Sequence, residues 1–237
     1  MAGQQGCSGL HSASLTMTTK ESGKRVDYTI HRLVNPTEAD VQDVTNTLAQ
    51  CFHEDRFVHI VTAHDPALYV PFFKSQVVAA VIDGVIYIAK DAKGALIGAA
   101  VWFGPGQEMF ASPQQEKEAW EPFERMFSPQ LKRWWDDVLT PVDDAFVLKS
   151  FGLGTKLRGW HLQVIGVIPP YQRLGIATKI IGEVRQIASA KHLPMTLEVE
   201  TQTNVNVYSS LGFKLKHQVD VCGPWGDFSM YGLMTQT

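Results

Sequence analysis

The chain has 237 residues and a formal net charge of −3, with 45% hydrophobic and 10% aromatic residues, enough for one large domain or a smaller one carrying an insertion and a tail. Phosphate binding normally leaves a basic surplus, so the acidic balance argues against a dominant nucleic-acid role while leaving room for a small anionic ligand. Three widely spaced cysteines, Cys7, Cys51 and Cys222, do not make a disulfide framework, and no apolar run reaches the roughly 20 residues a spanning helix needs, so cytoplasm is the expected location and no membrane partner is expected.

Residues 1–26 are rich in Gly, Ser, Thr and Gln. They offer too little apolar surface to offset their ordering entropy, which predicts a flexible tail before a domain spanning 27–237. Tyr28 to Val34 alternates like a strand. Thr37, followed by Glu38 and Asp40, marks a helix entrance, with Val41, Val44, Leu48 and Cys51 on one face. A second helix is predicted from Pro66 to about Ile82, with Asp83-Gly84 as a hairpin-type turn into strands at 85–89 and 95–103. Residues 106–158 carry four prolines and Trp120, Trp134 and Trp135, and read as a helical insertion or lid, too short for a second core. A strand over 161–168 then leads into a helix with an apolar stripe at Ile176, Ile180, Ile181, Val184, Ile187 and Ala188. The chain continues with a strand at 196–201, a short helix at 203–211 stopped by Gly212, and two strands near 213–221 and 228–234.

The strand, the loop 169–174 and the helix after it form an anion site in outline. Gly175 stands where the loop becomes helix, so the first-turn N–H groups have no intrahelical partner, and a missing side chain lets a phosphate approach. Ala177 keeps that face small, and Gln172 and Arg173 offer side-chain donors. The bland alternative is a glycine-assisted helix start. No G-x-x-x-x-G-K-[ST] phosphate loop and no G-x-G-x-x-G dinucleotide fingerprint is present.

These residues resemble the Gcn5-related N-acetyltransferases. Val167-Ile168-Pro169 followed by Gln172-Arg173-Leu174-Gly175-Ile176-Ala177 is similar to that family's V-x-P strand end and its [QR]-x-x-G-x-[GA] signature. A second hallmark, Tyr then Gly-Phe, stands at Tyr208 and Gly212-Phe213. Asn204, one helical turn before Tyr208, looks like the arrangement of the puromycin acetyltransferase-like branch. The resemblance is specific over 159–235, topological over 27–105, and does not cover 106–158.

It implies an α/β (α+β) acyl-CoA N-acyltransferase fold, a mixed, mostly antiparallel sheet flanked by helices, and acetyl-CoA as cofactor. The loop amides of Gln172, Arg173, Leu174, Gly175, Ile176, Ala177 and Thr178 would hold the pyrophosphate. Ile165 and Val167, on a strand splayed from its neighbour, would pair with the pantetheine arm. An N–H near Val167 would serve the oxyanion, and Asn204 would contact the pantetheine amides. Tyr208 would protonate the departing thiolate. Acetyl would pass directly to a primary amine, expected on a small molecule, with a protein lysine or N-terminus, or a silent acyl-CoA-binding module, as alternatives. An alkylammonium of pKa about 10.4 must lose its proton before attack; Glu198 and Glu200, on one strand face by period-2 alternation, are the candidate bases, with Glu198 placed slightly ahead.

Each residue also has a structural reading. Tyr208 fits a core tyrosine, Glu198 and Glu200 a solvated strand face, and His161, on the face of Gln163 and Ile165, a hydrogen-bonded structural histidine. Phe52, Glu54 and Asp55, just after the first helix, are candidate acceptor-binding residues. His53, His59 and His64 match no metal-ligand spacing, so no metal is expected. Trp120, Trp134 and Trp135 either line an aromatic pocket or anchor the insertion.

Overall fold

The computed structural model describes residues 26–235, so the tail predicted over 1–26 lies almost wholly outside the described residues. One seven-stranded sheet runs through the molecule in the order β1-β2-β3-β4-β5-β7-β6. Its strands are β1 (Tyr28–Leu33), β2 (Val85–Asp91), β3 (Leu96–Phe103), β4 (Trp160–Val167), β5 (Met195–Val199), β6 (Phe213–Val221) and β7 (Phe228–Thr235). Every pairing is antiparallel except β4–β5, the parallel centre, because the chain crosses over between those two strands through a helix.

Helices cover both faces. On one side α9 (Ile176–Ala190) and α10 (Gln202–Ser210) bury Ile176, Ile180, Ile181, Val184 and Tyr208 against Ile165, Val167, Leu197 and Val199. The other side carries α1 (Glu38–Cys51), α2 (Arg56–Val61) and α3 (Tyr69–Asp83), packed on Val101, Phe103, Val164 and Met230. Thr37 caps α1 as its sequence predicts: Asp40 N donates to Thr37 Oγ1 at 3.2 Å and Thr37 N to Asp40 Oδ2 at 2.9 Å.

Two local expectations need correction, and one helix is added to those expected. The α-helix expected from Pro66 starts at Tyr69, after a 3₁₀ turn over Pro66–Leu68. Asp83-Gly84 is not a hairpin turn, since it closes α3 and passes straight into β2. Asp-Gly signals a hairpin only between two strands, and here a helix precedes it. A further helix, α2, starts at Arg56, with Asp55 as its N-cap, whose Oδ1 accepts from Val58 N at 3.0 Å.

Between β3 and β4 the chain is helical, as the sequence suggests. It forms α4 (Pro113–Gln115), α5 (Glu121–Glu124), α6 (Pro129–Trp134), α7 (Thr140–Phe151) and α8 (Thr155–Arg158). Two π-helical segments, Glu116–Trp120 and Trp135–Leu139, join α4 to α5 and α6 to α7. Trp134 and Trp135 do anchor this segment: Trp134 packs edge-on to Trp225, and Trp135 Nε1 donates to Val61 O at 3.0 Å. No described helix is long and apolar enough to cross a membrane.

Candidate active site

β4 and β5 are opposite one another only from Trp160↔Met195 to Leu162↔Leu197; beyond that the strands part and a cleft opens in the sheet. On its other edge β4 pairs with β3, but the register slips so that Leu162 faces Trp102 and Val164 faces Val101. Gln163 therefore has no residue opposite it on either neighbour, a β-bulge at the mouth of the cleft. The bulge also flips the side-chain alternation. Leu162, Ile165 and Val167 all point into the α9 layer, while Val164 points toward α1 and α3. His161 thus does not share a face with Ile165, as simple alternation predicts, because one inserted residue shifts the period by one.

The loop from β4 to α9 is tied to three strands, β1, β2 and β4. Tyr28 Oη donates to Leu174 O at 3.4 Å, Tyr171 Oη to Asp91 Oδ2 at 3.0 Å, and Gln172 Nε2 to Val167 O at 3.0 Å. Gln172 therefore spends its amide on fixing the loop rather than offering it as a donor. Arg173 and Gly175 both take left-handed backbone, φ +65° and +79°. This curls successive N–H groups toward one side, and α9 starts at Gly175 with no side-chain cap. Ile176 and Ala177 are buried while Arg173, Gly175 and Thr178 are exposed, so the uncapped helix end faces outward. A Cβ on Gly175 would meet nothing nearer than Tyr28 Oη at 3.9 Å. The space beside this backbone is open, which is what close approach of a phosphate requires.

Tyr208 sits on α10 beneath the cleft in the same apolar layer as Ile165, Val167 and Val199. It is fully buried, and its hydroxyl has no hydrogen-bond partner among the described residues. Burial, followed by the nearby charge of Glu200, pushes its pKa well above the ordinary phenol value, so the proton stays on. An orphaned buried hydroxyl costs stability, and a ligand in the cleft would give it a partner. Asn204, one turn earlier, is also buried.

The two candidate bases diverge. Glu198 is sealed in the core, with Oε2 3.1 Å from His161 Nε2 and Oε1 3.6 Å from Lys156 Nζ. Burial pushes its pKa up, but His161 and Lys156 outweigh that and hold it below the ordinary value. His161, itself buried, is held below the ordinary histidine value mainly by burial, and its Nδ1 is 3.0 Å from Thr196 Oγ1. Glu200 lies just past the end of β5, half-buried, in the wall of a cavity of about 500 Å³ with Asp55, Arg56, Phe57, Asp220 and Asp227. The solvated-face reading fails for Glu198, and Glu200 is the carboxylate with access.

Of the acceptor candidates near the first helix, the structure brings Asp55 to this cavity and leaves out the others. Phe52 is core, ring to ring with Phe73 at 5.2 Å. It also abuts Gly166, where a Cβ would come within 3.2 Å of its ring. Glu54 points to solvent, 93% exposed beside His53; the turn after α1 alternates inward and outward within two residues. Lys156, Asp220 and Asp227 escaped the sequence reading, since the first lies where no motif matches and the others flank a turn-rich loop. Cys51, packed behind Gly166, is pushed by burial up to about 12. Among the described residues no group of three or more His, Cys, Asp or Glu could hold a metal ion.

Residues 50–213 match the acetyltransferase (GNAT) family. The chain belongs to that family and is an acetyl-CoA-dependent N-acetyltransferase. No curated protein matches the sequence. Solved structures with the same fold include arylalkylamine N-acetyltransferase 2 from Aedes aegypti, at TM-score 0.58 and 13% identity, covering 89% of this chain and 99% of that one. A polyamine N-acetyltransferase from Drosophila melanogaster aligns at TM-score 0.56 and 13% identity, over 89% and 100% of the two chains. An acetyltransferase of Corynebacterium glutamicum described with histone acetyltransferase HPA2 aligns at 0.56 and 17% identity, over 88% and 96%.

Proposed function

We propose that this chain acetylates the primary amine of a small molecule by direct attack in a ternary complex. The parting of β4 from β5 above the unpartnered Tyr208 hydroxyl is the observation that carries this reading. The uncapped start of α9, with Arg173 to Thr178, would hold the pyrophosphate, and the β4 edge at Ile165 and Val167, with Asn204, the pantetheine arm. When bound, acetyl-CoA supplies an activated acyl group and a thiol as leaving group.

The chain's own groups supply proton handling. Glu200, at the cavity wall, takes the proton from the incoming ammonium, directly or through water. Tyr208 holds its proton against a shifted pKa and is the donor under the cleft. The bulged backbone at Gln163 and the N–H near Val167 are the donors for charge developing on the acyl oxygen. Glu198, ranked first from the sequence, is tied to His161 and Lys156, and its role here is to hold the strand ends together. Burial raises the pKa of the Cys51 thiol, and chiefly the charge of Asp227 raises that of Cys222 in the cavity wall, so neither is held as a thiolate, which supports direct transfer over a cysteine-linked acyl-enzyme.

An amine acceptor is supported by the carboxylates Asp55, Glu200, Asp220 and Asp227 around the cavity, and two solved relatives are named for arylalkylamine and polyamine acetylation. We take 27–237 as one acetyltransferase domain, with 106–158 as a helical insertion, and the Asn204–Tyr208 spacing as support for the puromycin acetyltransferase-like branch. The test is thiol release from acetyl-CoA across a panel of small amines and lysine peptides. Release with small amines is expected; release with peptides alone would overturn the small-molecule reading, and none with either, despite CoA binding, would make the chain a silent binding module.

A further inference from the structure

Part of the wall of the Glu200 cavity is carried by the turn between β6 and β7, with Cys222 at one end and Asp227, Phe228 and Ser229 at the other. Within the turn, Gly226 N donates to Gly223 O at 3.2 Å and Gly223 N to Asp227 Oδ1 at 3.4 Å, the second beyond the usual range. A turn with two glycines in Gly223-Pro224-Trp225-Gly226 has wide conformational freedom, so its neighbours decide which shape it takes.

Three neighbours hold it. From the turn after α2, where Ala63 and His64 take left-handed backbone at φ +56° and +57°, His64 Nε2 donates to Trp225 O at 2.9 Å. Ile60 of α2 closes on Gly226, where a Cβ would come within 3.2 Å of its Cδ1. The third contact comes from the helical insertion. Trp134, at the end of α6, is 6% exposed, and its ring lies edge-on to Trp225 at 5.6 Å between centroids.

Trp134 also lies over Gly223. A Cβ at that position would stand 2.9 Å from Trp134 Cζ2 and 3.1 Å from Cε2, well inside the separation of about 3.5–4.0 Å at which carbons pack. Gly223 is not among the left-handed glycines, so the turn's backbone does not demand a glycine there. The indole does. No residue of 106–158 lines the Glu200 cavity, and any influence of the insertion on it must therefore pass through this turn.

We propose, on the reading that the amine binds beside Glu200, that Trp134 is a positioning residue for the acceptor. By filling the space over Gly223 it fixes the β6–β7 turn, and so sets where Asp227 and Cys222 stand in the cavity wall. A carboxylate attracts an ammonium before and during the reaction alike, so misplacing Asp227 raises KM and leaves kcat. The insertion thereby shapes acceptor affinity without touching the acceptor.

The test is thiol-release kinetics with phenethylamine, or with spermidine where that is the faster acceptor, on Gly223→Ala, Trp134→Leu and the double variant, with Asp227→Asn as reference. Gly223→Ala forces the indole and the turn apart. It is expected to raise the amine KM by about fivefold, as coupling between packed neighbours allows, with kcat and the acetyl-CoA Kd little changed. Trp134→Leu removes the ring atoms that Gly223 faces and is expected to raise KM at least as much. In that background Gly223→Ala has no indole to meet and should add no further increase. Two effects that multiply independently, or an unchanged KM in both variants beside a raised one in Asp227→Asn, would overturn the role of Trp134 alone. An unchanged KM in Asp227→Asn as well would take the amine out of this cavity and overturn both. Losses of kcat and acetyl-CoA affinity as large as the rise in KM would mark general damage to the fold and equally contradict positioning. Should Trp134→Leu fail to fold, Gly223→Ala carries the test alone, a raised KM supporting the role and an unchanged one contradicting it.

Discussion

Two regions of this molecule present opposite chemistry by opposite means. Residues 169–178 offer backbone: a loop pinned by Tyr28, Tyr171 and Gln172 turns N–H groups outward at the uncapped end of α9. On the far side of the sheet, the cavity wall offers side chains, the carboxylates of Asp55, Glu200, Asp220 and Asp227. In the reading proposed above, an anion is received by fixed dipoles and a cation by charges. Fixed dipoles demand backbone geometry, hence the left-handed Arg173 and Gly175. Charges demand only placement, so they tolerate many sequences.

Gly175→Glu should break the backbone half most severely. A non-glycine residue at φ +79° is strained by about 1–3 kcal/mol, and negative charge at the helix start adds repulsion, so acetyl-CoA affinity should fall by about 100-fold or more in a calorimetric titration. Retained affinity would remove the pyrophosphate from this loop. Glu200→Gln sharpens the side-chain half. We expect kcat/KM for a small amine to fall by about 10²-fold near pH 7, the usual contribution of a general base, and to recover as pH rises toward the amine pKa. An unchanged pH–rate profile would show that the proton leaves by another route.

The third experiment concerns the joint between the halves, His161–Glu198–Lys156. Glu198→Gln should destabilise the fold by about 3 kcal/mol, since it leaves the buried Lys156 charge without its nearer carboxylate, with only Glu108 at 3.8 Å remaining in ion-pair range among the described residues, and denaturant unfolding would read this. A smaller effect attaches to pH. His161 is held below its unfolded value of 6.5, and Glu198 below its unfolded value of 4.5. In both cases the unfolded chain takes protons first as pH falls, so stability present at neutral pH is lost downward, starting near 6.5 and steepening below 4.5. His161→Gln should flatten the upper part of that decline in Tm, and a Tm independent of pH between 7 and 5 in the parent chain would contradict the sign.

The same contrast explains what the sequence discloses. The half proposed for the cofactor is readable as a loop and helix start because its geometry is local: Gly175 takes φ +79°, and the stripe from Ile176 to Ala188 follows from helical period. β4 was readable as a strand but not as a bulged one, since nothing in Leu162-Gln163-Val164 announces the extra residue, and the misplacement of His161 followed from it. Glu198 and Glu200 look equivalent under period-2 alternation; only Lys156, arriving from α8, decides that one is sealed and the other exposed to the cavity. The seat of Trp134 on Gly223 was illegible because the two residues lie far apart in the chain, with no spacing that marks the pair.

The central claim is that the cleft between β4 and β5 holds acetyl-CoA while the Tyr208 hydroxyl, on a ring that belongs to the core, supplies a proton there. Its hydroxyl has no partner among the described residues, so Tyr208→Phe removes no hydrogen bond seen there. Thiol-release kinetics and acetyl-CoA titration on that one variant separate the roles. The account predicts turnover reduced by about 10²-fold with acetyl-CoA affinity essentially unchanged and Tm unchanged or raised. Full activity in Tyr208→Phe, or a loss of acetyl-CoA affinity as large as the loss of turnover, would contradict it.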